Sequence, residues 1–283
     1  MSAKDLNQKT IRYYEQTFFD YFLVLRLWKH WGMHYGFFDK DHQTLEKASL
    51  NLNRVLAERA GIHEGTKVLD AGCGVGGSAI WLAKNKGAVV TGITIVEQQY
   101  KKAEELAVKY EVEDKTEFLV RDYCNTGFPN STFDVVWGIE SVCHAEDKSD
   151  FLKEAIRVLK PEGRLIVADG FLKKEKLISE EKDIMNKWLE GWAVPNLATV
   201  EGFASLMKKV GFKRVQSEDV VKNILPFSKW LYKRGKLGYP LAKFLEWIGI
   251  RSKNGTGNVI AAIWQYEALH KNLWTYQIFL GTK

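Results

Sequence analysis

Between Lys67 and Val167, short apolar runs alternate with stretches whose apolar residues return at helical spacing. The runs KVLDA, AVVTGITI, EFLVRD, FDVVWGIE and RLIVADG are rich in branched residues, and each predicts a buried strand. Between them, EQQYKKAEELAVKY gathers Ala103, Leu106, Ala107 and Tyr110 on one helical face, and DFLKEAIRVL does the same with Phe151, Ala155, Val158 and Leu159. Strand and helix alternating in this way make right-handed βαβ units, so the pattern predicts an α/β fold with a mostly parallel sheet and helices on both faces. Two later runs, GFKRVQSEDV and TYQIFLGTK, predict strands that close the sheet. Helical stretches in residues 1–60, roughly 173–210 and 222–270 have no strand to support them and are expected to lie over one end. The sequence therefore divides into an N-terminal helical lid (1–60), a core (61–221), a helical cap insertion (222–270) and a last core strand (271–283). No internal repeat or low-complexity linker interrupts it.

Composition adds bounds. A chain of 283 residues with 46% apolar residues can bury one large core, or a core plus a lid. MSAKDLNQKTIRYYEQ lacks the apolar stretch of a signal peptide, and no window reaches the roughly eighteen apolar residues that span a bilayer. Cys73, Cys124 and Cys143 form no CxxC pair, which suits a reducing compartment, and a cytoplasmic location is expected. The net charge of +6 is local: residues 222–253 carry eight Lys or Arg against Glu246 alone, +7 in all, and the remainder of the chain −1. Trp230, Tyr232, Phe244 and Trp247 are interleaved with these charges. A solvated basic face, an anionic substrate group and peripheral contact with a membrane surface all stay open; nucleic acid is disfavoured because no binding module surrounds the patch. A homo-oligomer is equally open.

The candidate chemistry begins at VLDAGCGVGG. Gly72, Gly74 and Gly77 satisfy GxGxxG between a predicted strand and a helix, the dinucleotide fingerprint. Asp70 argues against a nicotinamide pyrophosphate, and the second strand ends in Thr94 rather than in an acid that would hold a ribose. A cationic ligand suits the loop better; a glycine turn needed only for strand-to-helix packing is the alternative. With Asp70, Gly72, Gly74 and Gly76 in register, the stretch resembles the D/ExGxGxG motif of the class I S-adenosylmethionine (SAM) dependent methyltransferases. The resemblance implies a Rossmann-like seven-stranded sheet and SAM as cofactor. Its sulfonium and ammonium call for a nearby anion, and its carboxylate for backbone N–H groups at a helix start. Gly72 and Cys73 would present carbonyls to the ammonium, with Asp70 supplying negative charge. Thr94, Ile95 and Gln99 in VVTGITIVEQQ would line the ribose, Asp122 and Tyr123 in VRDYCNTGFP the adenine, and Ile139 completes the expected cofactor contacts.

The acceptor should sit beyond the carboxyl end of the fourth strand, at WGIESVCHAEDK. Glu140 and His144 are four apart, so a helical turn would aim both at the methyl, and they lead the acid/base candidates. A capping role for Glu140 and a structural one for His144 stay open. The phrase resembles the IE(A/S)xxHxxD of the sterol, gamma-tocopherol and prenyl diphosphate C-methyltransferases. The aromatic cluster HWGMHYGFFD resembles the segment that folds over the active site in that branch, and marks His34 and Tyr35 as substrate-facing groups. The resemblance implies methyl transfer to a small hydrophobic acceptor, most simply a carbon of an isoprenoid or sterol-like alkene. The alternatives are an N- or O-methyltransferase for a small amine, phenol or acid; a SAM-binding protein without chemistry of its own; and, more distantly, a nicotinamide oxidoreductase. The histidines and cysteines show no metal-ligand spacing, so no metal site is expected.

Overall fold

The computed structural model describes residues 3–283. Its centre is a seven-stranded sheet of β1 (Lys67–Ala71), β2 (Val89–Thr94), β3 (Thr116–Val120), β4 (Phe133–Ile139), β5 (Leu159–Leu172), β6 (Lys213–Asp219) and β7 (Trp274–Thr282). The strands run in the order β3-β2-β1-β4-β5-β7-β6. All neighbours are parallel except β7, which is antiparallel to both β5 and β6. The order reverses between β1 and β2 on one side and β4 on the other. That switch point lies at the carboxyl ends of the strands, where parallel sheets open a crevice. In register, Asp70 of β1 stands beside Gly92 of β2 and Trp137 of β4.

The helices are α1 (Ala3–Val24), α2 (Leu45–Arg59), α3 (Gly77–Lys86), α4 (Glu97–Lys109), α5 (Lys148–Val158), α6 (Ser179–Gly191), α7 (Val200–Val210), α8 (Val221–Trp247) and α9 (Lys253–His270). The expected helical periodicity is what buries them. Ala103, Leu106 and Ala107 of α4 lie in one core layer with apolar faces of α2 and α3. Phe151, Ala155 and Val158 of α5 lie in the layer on the opposite face. That second layer also takes Phe203 and Met207 of α7, so the 200–210 part of the stretch expected over one end instead flanks the sheet. In residues 1–60, α2 likewise packs beside α3. What covers the strand ends is α1, the segment from Leu25 to Phe38, α6, α8 and α9. Among the described residues, no helix is long and apolar enough to cross a membrane.

Candidate active site

The β1–α3 loop is bound to β2 from below, with Gly72 N–H and Cys73 N–H both donating to Ile93 O at 2.9 Å. Gly72 has φ +95°, and a Cβ there would lie 2.4 Å from Ser141 Cβ. Gly77 answers to a different neighbour: its added Cβ would stand 2.2 Å from the carbonyl oxygen of Trp31. The backbone of the aromatic segment thus crosses directly over the start of α3, and only a residue without a side chain lets it pass. The two motifs that are far apart in sequence are one packed unit. Gly76, expected to touch cofactor, does not line the cavity above the loop. It is the left-handed N-cap of α3, and a Cβ would be driven into Phe118 and Ala103. The Cys73 carbonyl is also less free than expected, because Gly76 N–H donates to it at 2.9 Å.

Two cavities open above the strand ends. The smaller, of about 80 Å³, is lined by Asp70, Gly72, Cys73, Gly74, Thr94, Ile95, Gln99, Asp122, Tyr123 and Ile139. The larger, of about 280 Å³, is walled by Tyr35, Trp188, Trp192, Phe227, Trp274 and Tyr276 and extends along α8. Five residues line both: Tyr14, Met33, His34, Glu140 and His144. Three of the four expected catalytic groups therefore stand at the seam between the chambers.

The smaller chamber has the chemistry of a site for a cation-bearing nucleoside. Asp70 is 3% exposed and its Oδ2 has no hydrogen-bond partner. Burial alone lifts its carboxyl to about 7, the behaviour of an anion waiting for a positive charge. Buried in the chamber wall, Thr94 Oγ1 donates to Gln99 Oε1 at 2.8 Å, a neutral pair of the kind that could exchange hydrogen bonds with ribose hydroxyls. Asp122 lies at the end of β3, where it accepts from Asn7 Nδ2 and Cys124 N–H, each at 2.8 Å. Tyr123 O–H donates to Ser141 O, which fixes the ring beside that acid. This donor and acceptor set fits SAM: Asp70 would supply negative charge near its cationic end, Gly72 and Gly74 would allow close backbone approach, and Asp122 would face its adenine.

At the seam the geometry departs from expectation. No helix joins Glu140 to His144; Glu140 takes the left-handed conformation at φ 49°, and a single 3-10 turn, Val142–His144, follows. The two side chains consequently have separate partners. Glu140 Oε1 accepts from Tyr35 N–H at 2.7 Å and from Tyr276 O–H at 2.8 Å. Burial outweighs both bonds and raises its carboxyl to about 8. His144 is held neutral by burial, its pKa lowered to about 4. Its Nδ1 faces Ala193 O at 3.3 Å and must donate there, which leaves Nε2 to accept the Tyr14 hydroxyl at 3.0 Å. His34 is likewise neutral, lowered by burial to about 4, with Nδ1 donating to Tyr35 O at 2.8 Å. Tyr35, expected to face substrate, lines only the larger chamber, with its hydroxyl already engaged. That hydroxyl donates to buried Gln265 Oε1 at 2.8 Å, and the ring joins an aromatic wall with Phe227 and Tyr276.

Sequence reasoning missed several groups here. Asn7, Thr10 and Tyr14 reach the smaller cavity from one face of α1, a polar stripe at helical spacing that was legible in the sequence. Asp169 ends the apolar run of β5 as Asp70 ends that of β1, and it lines the larger chamber. Burial raises it to about 6. Tyr276 carries no local signal, because it reaches Glu140 through long-range antiparallel pairing of β7 with β5. Among the described residues, no three His, Cys, Asp or Glu side chains group as a metal site.

Comparison with known proteins places this geometry. The sequence matches the Methyltransferase domain family over residues 69–167. It is 40% identical over 170 residues to a 2-methyl-6-phytyl-1,4-hydroquinone methyltransferase of Synechocystis sp., covering 59% of this chain and 52% of that one. The chain thus spans about half the length of that relative. It is 33% identical to the 27-O-demethylrifamycin SV methyltransferase of Amycolatopsis mediterranei, over 69% of this chain and 72% of that one. A solved structure of geranyl diphosphate C-methyltransferase from Streptomyces coelicolor, with Mg2+, geranyl diphosphate and S-adenosyl-L-homocysteine, superposes with a TM-score of 0.74. At 18% identity, covering 100% of this chain and 99% of that one, it shows a shared fold.

Proposed function

The chain belongs to the SAM-dependent methyltransferases, and from that premise we propose that it methylates a carbon of a small hydrophobic acceptor, an isoprenoid or sterol-like alkene. The observation that carries this reading is Glu140, a carboxylate at the seam of the two chambers whose hydrogen-bond partners are a backbone N–H and a phenol rather than a cation. The relative named for a phytyl hydroquinone and the fold neighbour named for geranyl diphosphate support an isoprenoid acceptor. The basic 222–253 segment is read as meeting an anionic headgroup or membrane surface beside the larger chamber.

Bound SAM supplies an electrophilic methyl on a sulfonium, so the reaction depends on alignment more than on a strong base. Asp70 holds negative charge at the loop, and the lid residues Tyr14, Met33 and His34 close the seam against water. An alkene that takes the methyl becomes a carbocation, which the faces of Trp188, Trp192 and Tyr276 can stabilise. Glu140 then removes the neighbouring proton and restores the double bond. A buried carboxyl at about 8 ionises readily once a cation stands beside it, which suits it to this step. Tyr35 N–H and Tyr276 O–H hold the carboxylate in position, and His144, with its Nε2 taken by Tyr14, orients the seam.

A second reading, O-methylation, has its own observation: the Tyr14 hydroxyl and His144 Nε2 form a hydrogen-bonded pair at the seam, which would orient a substrate hydroxyl beside the methyl. Labelled SAM incubated with a panel of prenylated alkenes, sterols and phenols, using wild type, Glu140→Gln and His144→Gln, distinguishes the two. Carbon methylation requires Glu140→Gln to lose turnover by roughly 10²–10⁴ while still binding SAM. Product labelled only on oxygen, with Glu140→Gln fully active, would refute the proposal.

A further inference from the structure

We propose that α8 docks on an anionic lipid bilayer and that Gly238 is the portal through which a chain-like lipid acceptor passes from that bilayer into the larger cavity. The inference rests on the hydrophobic-acceptor reading above and deepens it to a substrate class and a partner.

Two stripes on α8 carry the argument. Phe227, Leu231, Gly235, Gly238, Ala242 and Leu245 recur at helical spacing and all line the larger cavity. From Phe227 to Leu245 the helix advances about 27 Å, so the cavity is walled along a trough that suits a chain better than a compact ring. On the outer side Leu237, Leu241, Phe244 and Ile248 form a second stripe, 77%, 60%, 53% and 42% exposed. Trp247, at 81%, stands beside it and Ile250, at 73%, just beyond its end. A contiguous apolar stripe of this kind marks a surface that meets something.

Charge decides what it meets. Lys222, Lys229, Lys233 and Lys236 are exposed along one flank of the outer stripe; Arg234 borders the cavity on the other, and Leu241 of the stripe itself reaches the cavity there. The segment from 222 to 253 carries +7, so two copies brought together through this face would repel. An apolar stripe edged by lysines is the composition of a helix lying in an anionic membrane interface. The cavity runs up to that same edge of the helix, so the route from bilayer to Glu140 does not cross bulk water.

The portal follows from the glycines. A Cβ added at Gly235 would meet Ile263 at 2.9 Å, so that glycine serves helix packing. A Cβ added at Gly238 meets nothing within 4 Å. It is a cavity-lining position where a side chain has room and none is present. Two residues on, Pro240 removes the helical N–H that would bond the Lys236 carbonyl, which loosens α8 beside the gap.

Two variants test the proposal. The double variant Leu237→Ser/Trp247→Ser alters only exposed side chains, and Gly238→Leu fills the gap. Wild type should float with phosphatidylcholine vesicles containing phosphatidylglycerol and leave them at high salt, while staying off vesicles of phosphatidylcholine alone. The double variant should bind the anionic vesicles at least tenfold more weakly. Gly238→Leu should float like wild type and bind SAM with unchanged affinity by calorimetry, yet take up parinaric acid from the vesicles at least tenfold more slowly. Wild type that ignores anionic vesicles, a double variant that floats equally well, uptake undiminished by Gly238→Leu, or an α8-mediated dimer in light scattering would each overturn it. If wild type binds SAM and methylates a soluble acceptor but fails these tests, only this inference falls. If SAM itself is not bound, the underlying functional reading falls instead.

Discussion

Asp70→Asn separates the stability and the function of one buried charge. Burial raises the Asp70 carboxyl from 3.8 to about 7 in the folded chain. A folded-state pKa above the unfolded one means that the folded chain binds the proton more tightly between those two values. Stability without ligand therefore falls as pH rises through that window, and the loss is complete above about pH 7. At about 1.4 kcal/mol per pH unit, the full penalty is about 4 kcal/mol. Asparagine keeps the shape and never ionises, but it buries an amide whose own unmet hydrogen bonds cost about 1–3 kcal/mol. The variant should thus match or fall below wild type at pH 5 and exceed it by about 1–3 kcal/mol at pH 8, a gain of roughly 2–10 °C in Tm for a chain of this size. Ligand reverses the order. A cation needs the ionised carboxylate, so wild-type affinity for SAM should weaken about tenfold from pH 8 to pH 6, with a proton released on binding. Asp70→Asn should bind SAM at least tenfold more weakly at pH 8, with a shallower pH dependence. Scanning calorimetry between pH 5 and 8, with and without SAM, reads all of this. A variant less stable than wild type at every pH, and still stabilised by SAM to the same degree, would refute the reasoning.

Three further substitutions probe the seam and the lid. Tyr276→Phe removes a hydrogen bond that lowers the Glu140 pKa, so the ascending limb of the pH–rate profile should move to higher pH; an unmoved limb would mean that Glu140 does not control the rate. Gly77→Ala sets a methyl against the Trp31 carbonyl, and overpacking of about 1–3 kcal/mol should fall on lid closure. Faster SAM release and quicker proteolysis within residues 1–40 should follow, with the core's thermal transition nearly unchanged; equal SAM dissociation rates would count against the lid role. Tyr14→Phe frees His144 Nε2 of its donor, and turnover should fall less than in Glu140→Gln if the histidine only orients the seam.

How much of this was legible depended on how local each feature is. The strand runs from KVLDA to RLIVADG, and the periodicity of α4 and α5, sit in short windows where burial follows directly from spacing. The same is true of Asp70, Thr94, Gln99 and Asp122, which all lie at or just beyond the carboxyl ends of strands and so fall on one cavity. The packing demand on Gly76 was hidden because two demands coincide in one motif: space for a ligand, and space for Phe118 under the helix start. The helical turn expected from Glu140 to His144 failed for a related reason. Spacing of four fits a helix, but Glu140 leaves β4 in a left-handed conformation that spacing cannot reveal. Tyr276 and Gln265 were invisible because their partners lie on elements more than a hundred residues away.

The buried carboxylates, taken together, show what the fold is arranged to do. Asp70, Glu140 and Asp169 all line the joined chambers, and burial raises each one to about 7, 8 and 6 respectively. None forms a salt bridge among the described residues, although the protein pairs carboxylates freely elsewhere, as in Arg251 with Asp20. Lysine is even present nearby and is spent otherwise: Lys148 is buried beside this region, yet its ammonium donates to the carbonyls of Cys143, Ala145 and Asn196. A fold selected only for stability would pair these acids or replace them with apolar residues of similar size. Leaving them unpaired costs stability without ligand but keeps acids that ionise fully only when a cation stands beside them. In the proposed reaction, a sulfonium cofactor in one chamber and a substrate carbocation in the other would be cations of that kind, with Glu140 at the seam between them.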